Sequence, residues 1–225
     1  MSLNPSIRKV VPASPPTAAA TYDYYDIAEG TGIKNFYGAL SIASGSHTAF
    51  LTTDTTAYSG MVVIKRKGAL AWALYGDVDY ETTFNSPKLV KGKIRISATT
   101  GVQGQVANAK KICLLMALYK VSGGVPTQIG SNIGTPLTST GAVAALTETH
   151  TLTIDVTDRI HFKIGDILRL NVKMYGAAAG ATEGFGYGCD PADRNDSVTA
   201  SGQVVVQDAY PTHLKVAMPF IITDI

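Results

Sequence analysis

The grouping of residues closest to a chemical site is Asp77-Val78-Asp79-Tyr80-Glu81. On a strand, alternate residues share a face, so the three carboxylates would line up ~7 Å apart and could hold Ca²⁺ or meet a basic partner. A second grouping, Asp190, Asp193 and Asp196 with Asn195, lies in a Pro-containing stretch, and its spacing departs from that of an EF-hand loop. A solvated charged face and a polar turn account for both with fewer assumptions. No metal or other cofactor is therefore expected.

Other chemistries leave less trace. His47, His150, His161 and His213 lack the paired spacing of a zinc site, and Cys113 and Cys189 form no C-x-x-C arrangement. His150 is in phase with Leu152 and Ile154, as expected for a satisfied histidine at the end of a sheet. No G-x-S-x-G elbow occurs. Gly184-Phe185-Gly186-Tyr187-Gly188 has neither the lysine nor the strand-to-helix setting of a phosphate loop. It fits a strand with its rings on one face and its glycines admitting a close neighbour. No catalytic residue is assigned, and the expectation is a protein that is not an enzyme.

The elements that carry these residues read as strands. Val90, Ile94 and Ile96 alternate with Lys91, Lys93 and Arg95; Leu152, Ile154 and Val156 with Thr151, Thr153 and Asp155; Leu168, Leu170, Val172 and Met174 with Arg169, Asn171 and Lys173. That period of two marks half-buried antiparallel strands. Leu214, Val216, Met218 and Phe220 share another phase, and Pro219 within it points to an edge or a strand end. Ile112 to Tyr119 is apolar in both phases, which fits a fully buried strand better than the alternative of a short helix from Val106 onward. Ser122 to Thr140 and Tyr175 to Ser201 read as loops. With no sustained helical period, the fold class is all-β: an antiparallel two-sheet sandwich, possibly a jelly roll, as one domain over residues 31–225. Residues 1–30 read as an extended arm, because Pro5, Pro12, Pro15 and Pro16 deny regular pairing and Thr17 to Thr21 offers little to bury.

Composition narrows the partners. A net charge of +2 is too small to argue for nucleic acid, and Lys65-Arg66-Lys67 is a short run explained by a turn or strand end. No apolar stretch approaches the roughly 20 residues of a membrane-spanning helix, and no secretory signal is visible at the N-terminus. Two cysteines make no disulfide framework, and both are expected to be reduced.

A series of short segments carries a resemblance. Tyr25 to Gly32 with Phe36-Tyr37-Gly38, Leu118 to Val121 leading into Gln128-Ile129-Gly130, Phe162 to Leu170, Asp190 to Arg194, and Leu214 to Phe220 together resemble β-sandwich virion structural proteins of tailed bacteriophages and related prokaryotic viruses. The resemblance implies a structural component of a virus particle, capsid-associated or a decoration protein, located in the virion, homo-oligomeric, and partnered by itself and other virion proteins. A tail or neck position would look the same. The arm would then meet its neighbours through Ile7, Arg8, Tyr22, Tyr24 and Tyr25, since aromatic rings bring large contact area at small entropy cost. The competing reading is a carbohydrate-binding sandwich that uses Trp72, Tyr75 and Tyr80 as stacking platforms beside the Asp77 to Glu81 face.

Overall fold

The computed structural model describes residues 31–43, 46–56, 66–67, 69–105, 107–141, 143, 145–180, 183–192, 198–200, 203–206 and 214–221. Within them the chain is all β: β1 (Thr31–Ala43), β2 (Ser46–Thr52), β3 (Arg66–Lys67), β4 (Leu70–Thr83), β5 (Lys88–Gln103), β6 (Lys110–Ser122), β7 (Val125–Gly134), β8 (Thr138–Thr140), β9 (Ala145–Phe162), β10 (Ile167–Ala178), β11 (Gly184–Tyr187), β12 (Val198–Ala200), β13 (Gln203–Val206) and β14 (Lys215–Ile221). The arm predicted over residues 1–30, with Ile7, Arg8, Tyr22, Tyr24 and Tyr25, lies outside the described residues.

All but β12 and β13 belong to one hydrogen-bonded sheet, ordered β3-β11-β5-β14-β1-β2-β4-β10-β6-β7, with β8 also on β6 and β9 also on β5. Its described pairings are antiparallel except at Phe50↔Glu81, where a single parallel bridge joins β2 to β4. There the path turns over, so that the half carrying β9, β5, β14 and β1 faces the half carrying β4, β10, β6 and β7. The result is sandwich-like and not closed. Contacts across the two halves hold it shut: the Tyr80 and Tyr187 hydroxyls share a hydrogen bond of 2.9 Å, Tyr75 packs on Phe185, and Ile154 sits against Gly130.

Burial follows the predicted alternation. In β10, Leu168, Leu170, Val172 and Met174 are wholly inside, and Arg169, Asn171, Lys173 and Tyr175 are half-exposed. The same alternation holds in β14 and in the first half of β5. β6 is a strand, but its second phase is not fully buried. Cys113 and Leu115 are half-exposed because that face is the outside of the sandwich. Burial still raises the Cys113 thiol above its ordinary range.

Two expectations are corrected. Pro219 lies on a central strand, between β1 and β5, not at an edge. It is tolerated because the β14–β5 ladder is interrupted between Ala217 and Phe220, where Gly92, at a φ of 113°, lies against the Pro219 ring. A bulge removes the need for the missing N–H. The stretches read as loops contain β7, β8 and β12, besides β11 where a strand was expected, and β10 runs on to Ala178. β7 shows no apolar alternation because it is a solvated edge with only Ile129 fully buried.

The Lys163 to Asp166 turn closes one pole of the sandwich. Phe84 N–H donates to the Asp166 carbonyl and Gly165 N–H to the Phe84 carbonyl, each at 2.9 Å. The Asp166 carboxylate accepts from Ser122 Oγ (2.6 Å) and Lys163 N–H (2.7 Å), with Lys120 Nζ at 3.1 Å. The Ser122 bond and then the Lys163 bond lower its pKa from 3.8 to about 2. A carboxyl group more acidic in the folded state stabilises the fold fully above its unfolded pKa, and that stabilisation is lost as pH falls from 3.8 toward about 2. Asp166→Asn is therefore expected to lower stability at neutral pH and to flatten the acid limb of stability between those values. Urea midpoints measured across that range check both effects.

Candidate functional site

The outer face of β4, β10 and β6 brings together the acidic row Asp77, Asp79 and Glu81 and the ring of Trp72. In register, Glu81 lies opposite Arg169, Asp79 opposite Asn171, and Asp77 opposite Lys173. Arg169 Nε donates to Glu81 Oε1 at 2.6 Å, and its Nη1 is 3.3 Å from Asp79 Oδ2. Asn171 Nδ2 donates to both Asp77 and Asp79, at 2.7 and 2.8 Å, while Lys173 Nζ stands 3.8 Å from Asp77. The three carboxylates do share a face, as predicted. Their neighbours on β10 already occupy them, and a Ca²⁺ ion would have to displace Arg169 and Asn171. Among the described residues no group of His, Cys, Asp or Glu is arranged to hold a metal. Solvent-exposed pairs of this kind contribute ~0.2–1 kcal/mol each, so the ladder fixes register more than it stabilises.

Beyond Gly76 the face changes character. A bulge opposite Met174 and Tyr175 turns Tyr75 inward onto Phe185 and restores the outward phase at Leu74 and Trp72. Leu74 and Trp72 are each 43% exposed. The indole stacks on Tyr175 with centroids 6.3 Å apart and planes 22° from parallel, and Lys111 Nζ lies 5.2 Å from the indole centroid. Beside them opens a groove of about 360 Å³ lined by Leu70, Trp72, Lys111, Ser139, Ala177 and Ala179. Its small residues leave the cleft, and its one cation sits at the rim.

The stacking platforms proposed for a carbohydrate do not hold together. Tyr80 is fully buried, its hydroxyl bonded to Tyr187, and burial first, with Cys189 and Tyr187 nearby, drives its pKa well above the ordinary phenol range. Burial likewise pushes the Tyr187 phenol up, and it pushes the Cys189 thiol to about 12. Both cysteines are free. Of the three proposed rings only Trp72 presents a face outward. Asp190 is buried and accepts the Ala192 N–H at 3.1 Å, the local turn expected of an aspartate, and residues 193–197 lie outside the described residues.

Two polar clusters were not apparent from the sequence. Thr138 Oγ1 donates to Glu148 Oε2 at 2.6 Å and lies 3.2 Å from His150 Nε2. This is not a nucleophile relay, because Glu148 approaches the same ring nitrogen, at 3.8 Å, and Thr138 is wholly buried. Burial lowers the His150 pKa against the opposing pull of Glu148; the ring has a partner in Thr138, as expected, but lies within β9 opposite Ala98 instead of at a sheet end. The second cluster surrounds Lys110, fully buried, whose Nζ donates to the carbonyls of Gln105 and Asn108 at 2.8 and 3.2 Å. Asn108 Nδ2 donates to buried Glu183 at 2.7 Å. The spacing of these residues carries no periodic signal, since a connection and a distant strand end supply them.

No protein-family model matches the sequence, and no curated protein matches it. Solved structures similar to it include a CocE/NonD family hydrolase from Staphylococcus aureus, with 8% identity and a TM-score of 0.38 over 83% of this chain and 41% of that one. An aminopeptidase from a marine sediment archaeon, Thaumarchaeota archaeon, matches with 10% identity and a TM-score of 0.34 over 81% of this chain and 40% of that one. Infectious bursal disease virus, Gx strain, matches with 9% identity and a TM-score of 0.21 over 94% and 61%. The chain spans about two fifths of the length of the hydrolase and the aminopeptidase. The expectation that the chain is not an enzyme is not upheld, since two of the structures similar to it are a hydrolase and an aminopeptidase. Similarity at this level carries neither their active sites nor their substrates to this chain.

Proposed function

We propose that the chain is a structural component of a virus particle, a capsid-associated or decoration protein that assembles through its β-sandwich and the segment preceding β1. The observation that carries this reading is the exposed Trp72 and Leu74 surface, with half-exposed Tyr175 stacked on the indole, beside an apolar groove, on a face whose acidic row is paired within the chain. Exposed apolar surface next to neutralised charge suits contact with protein. The tyrosine-rich segment Tyr22 to Tyr25 and the resemblance of the strand and turn segments to virion proteins support the same reading.

Mass spectrometry of purified particles is expected to find the chain at structural stoichiometry. Its absence from particles, or its presence only in lysates of infected cells, would overturn the proposal. The carbohydrate reading retains one favourable observation, the half-exposed Trp72 ring. A glycan array read by Trp72 fluorescence decides it, because Trp72 is the sole tryptophan.

A further inference from the structure

We propose that the groove beside Trp72 receives the Tyr22-Asp23-Tyr24-Tyr25-Asp26 segment of a second copy of this chain; the inference rests on the assembly role above and names the two surfaces that meet. Chemistry matches first. The groove offers the Trp72 ring and the Lys111 ammonium among its lining, with Tyr175 stacked on that ring and exposed Leu74 on the same face beside it. The segment offers three phenol rings and two carboxylates within five residues. Rings on the indole and an aspartate on Lys111 would complement both, in a site where one charge and several rings already converge.

Reach then decides between the segment of the same copy and that of another. Ala39 pairs with Phe50, and Phe50 with Glu81, so Ala39 and Glu81 stand level across β1, β2 and β4. The Phe36–Phe84 ring contact, three residues further on each strand, agrees. From that level β1 runs back eight residues to Thr31 at one pole, while β4 runs back nine to Trp72 at the other. At the rise of a strand this separates Thr31 from Trp72 by roughly 50 Å. Asp26 precedes Thr31 by five residues and Tyr22 by nine, which fully extended cover only about 17 and 30 Å. The segment falls short of its own groove and is free to reach that of another copy.

The test uses the full chain and its point variants. A fluorescently labelled peptide of residues 20–30 is expected to bind the wild-type protein saturably by anisotropy. Binding should weaken at least tenfold on Trp72→Glu and with a peptide bearing alanine for Tyr22, Tyr24 and Tyr25. Head-to-tail exchange gives a second readout. Trp72→Glu (segment intact) and the full-length Tyr22→Ala/Tyr24→Ala/Tyr25→Ala variant (groove intact) should each sediment as monomers and form a one-to-one complex when mixed. Equal peptide affinity for Trp72→Glu, or a mixture that stays monomeric, would overturn the inference. So would a neutral glycan that quenches Trp72 while the peptide does not, which would assign the groove to sugar. These results are independent of particle incorporation, so failure here leaves the virion reading to its own test.

Discussion

Gly176→Val is expected to cost the fold about 3 kcal/mol or more, the upper range for overpacking a sealed core. The Phe185 ring lies where a side chain at position 176 would begin, and Phe185 itself is fully buried between β3 and β5 with Tyr75 against it. The ring cannot retreat without opening the β11 ladder. Total stabilities of domains lie at ~5–15 kcal/mol, so the loss is a large share. A double-mutant cycle isolates the cause: Gly176→Ala should be costly alone and much less so on a Phe185→Ala background. Equal costs on both backgrounds would show that the ring and the glycine are not in contact.

The second large effect is expected at Phe84. Its ring is 4.6 Å from that of Phe162, 6.1 Å from Phe36 and 6.2 Å from Phe220, so residues of β1, β9 and β14 converge on a side chain that follows β4. Its backbone is bonded in both directions to the Lys163 to Asp166 turn. Phe84→Ala should therefore destabilise by about 3–5 kcal/mol, and Phe84→Leu by markedly less. Guanidinium midpoints of the two variants check the ranking; a small loss for alanine would mean that the pole collapses around the gap.

What the sequence disclosed was the part that depends on local period. Leu168 to Met174 and Val216 to Phe220 point inward as their alternation requires, and Phe185 and Tyr187 share a buried face as the Gly-aromatic pattern implied. The glycine that admits the Phe185 ring, however, is Gly176 on another strand, and no local pattern links the two. The same limit applies to the candidate site. Asp77, Asp79 and Glu81 were visible as an acidic row, but Arg169, Asn171 and Lys173 lie some ninety residues away and neutralise them only through a register that the whole sheet sets. Trp72 stood out as a ring. Its turn outward depends on the β4 bulge at Tyr75, which hydrophobic alternation does not encode. β7 was missed because an edge strand with polar faces reads as a loop.

The pairing of Thr31 with Ile221 places the start of β1 and the end of β14 at the same pole, away from the Trp72 groove. In a chain of copies joined from segment to groove, tension would act on each copy at Thr31 and at the far end of β4. β1 would then be dragged lengthwise between β14 and β2, straining the perpendicular hydrogen bonds of both ladders together instead of one after another. The strand order thus sets a load path in shear, which resists force better than peeling. Pulling on the two chain ends of a single copy would instead peel β1 from β14, starting at Thr31.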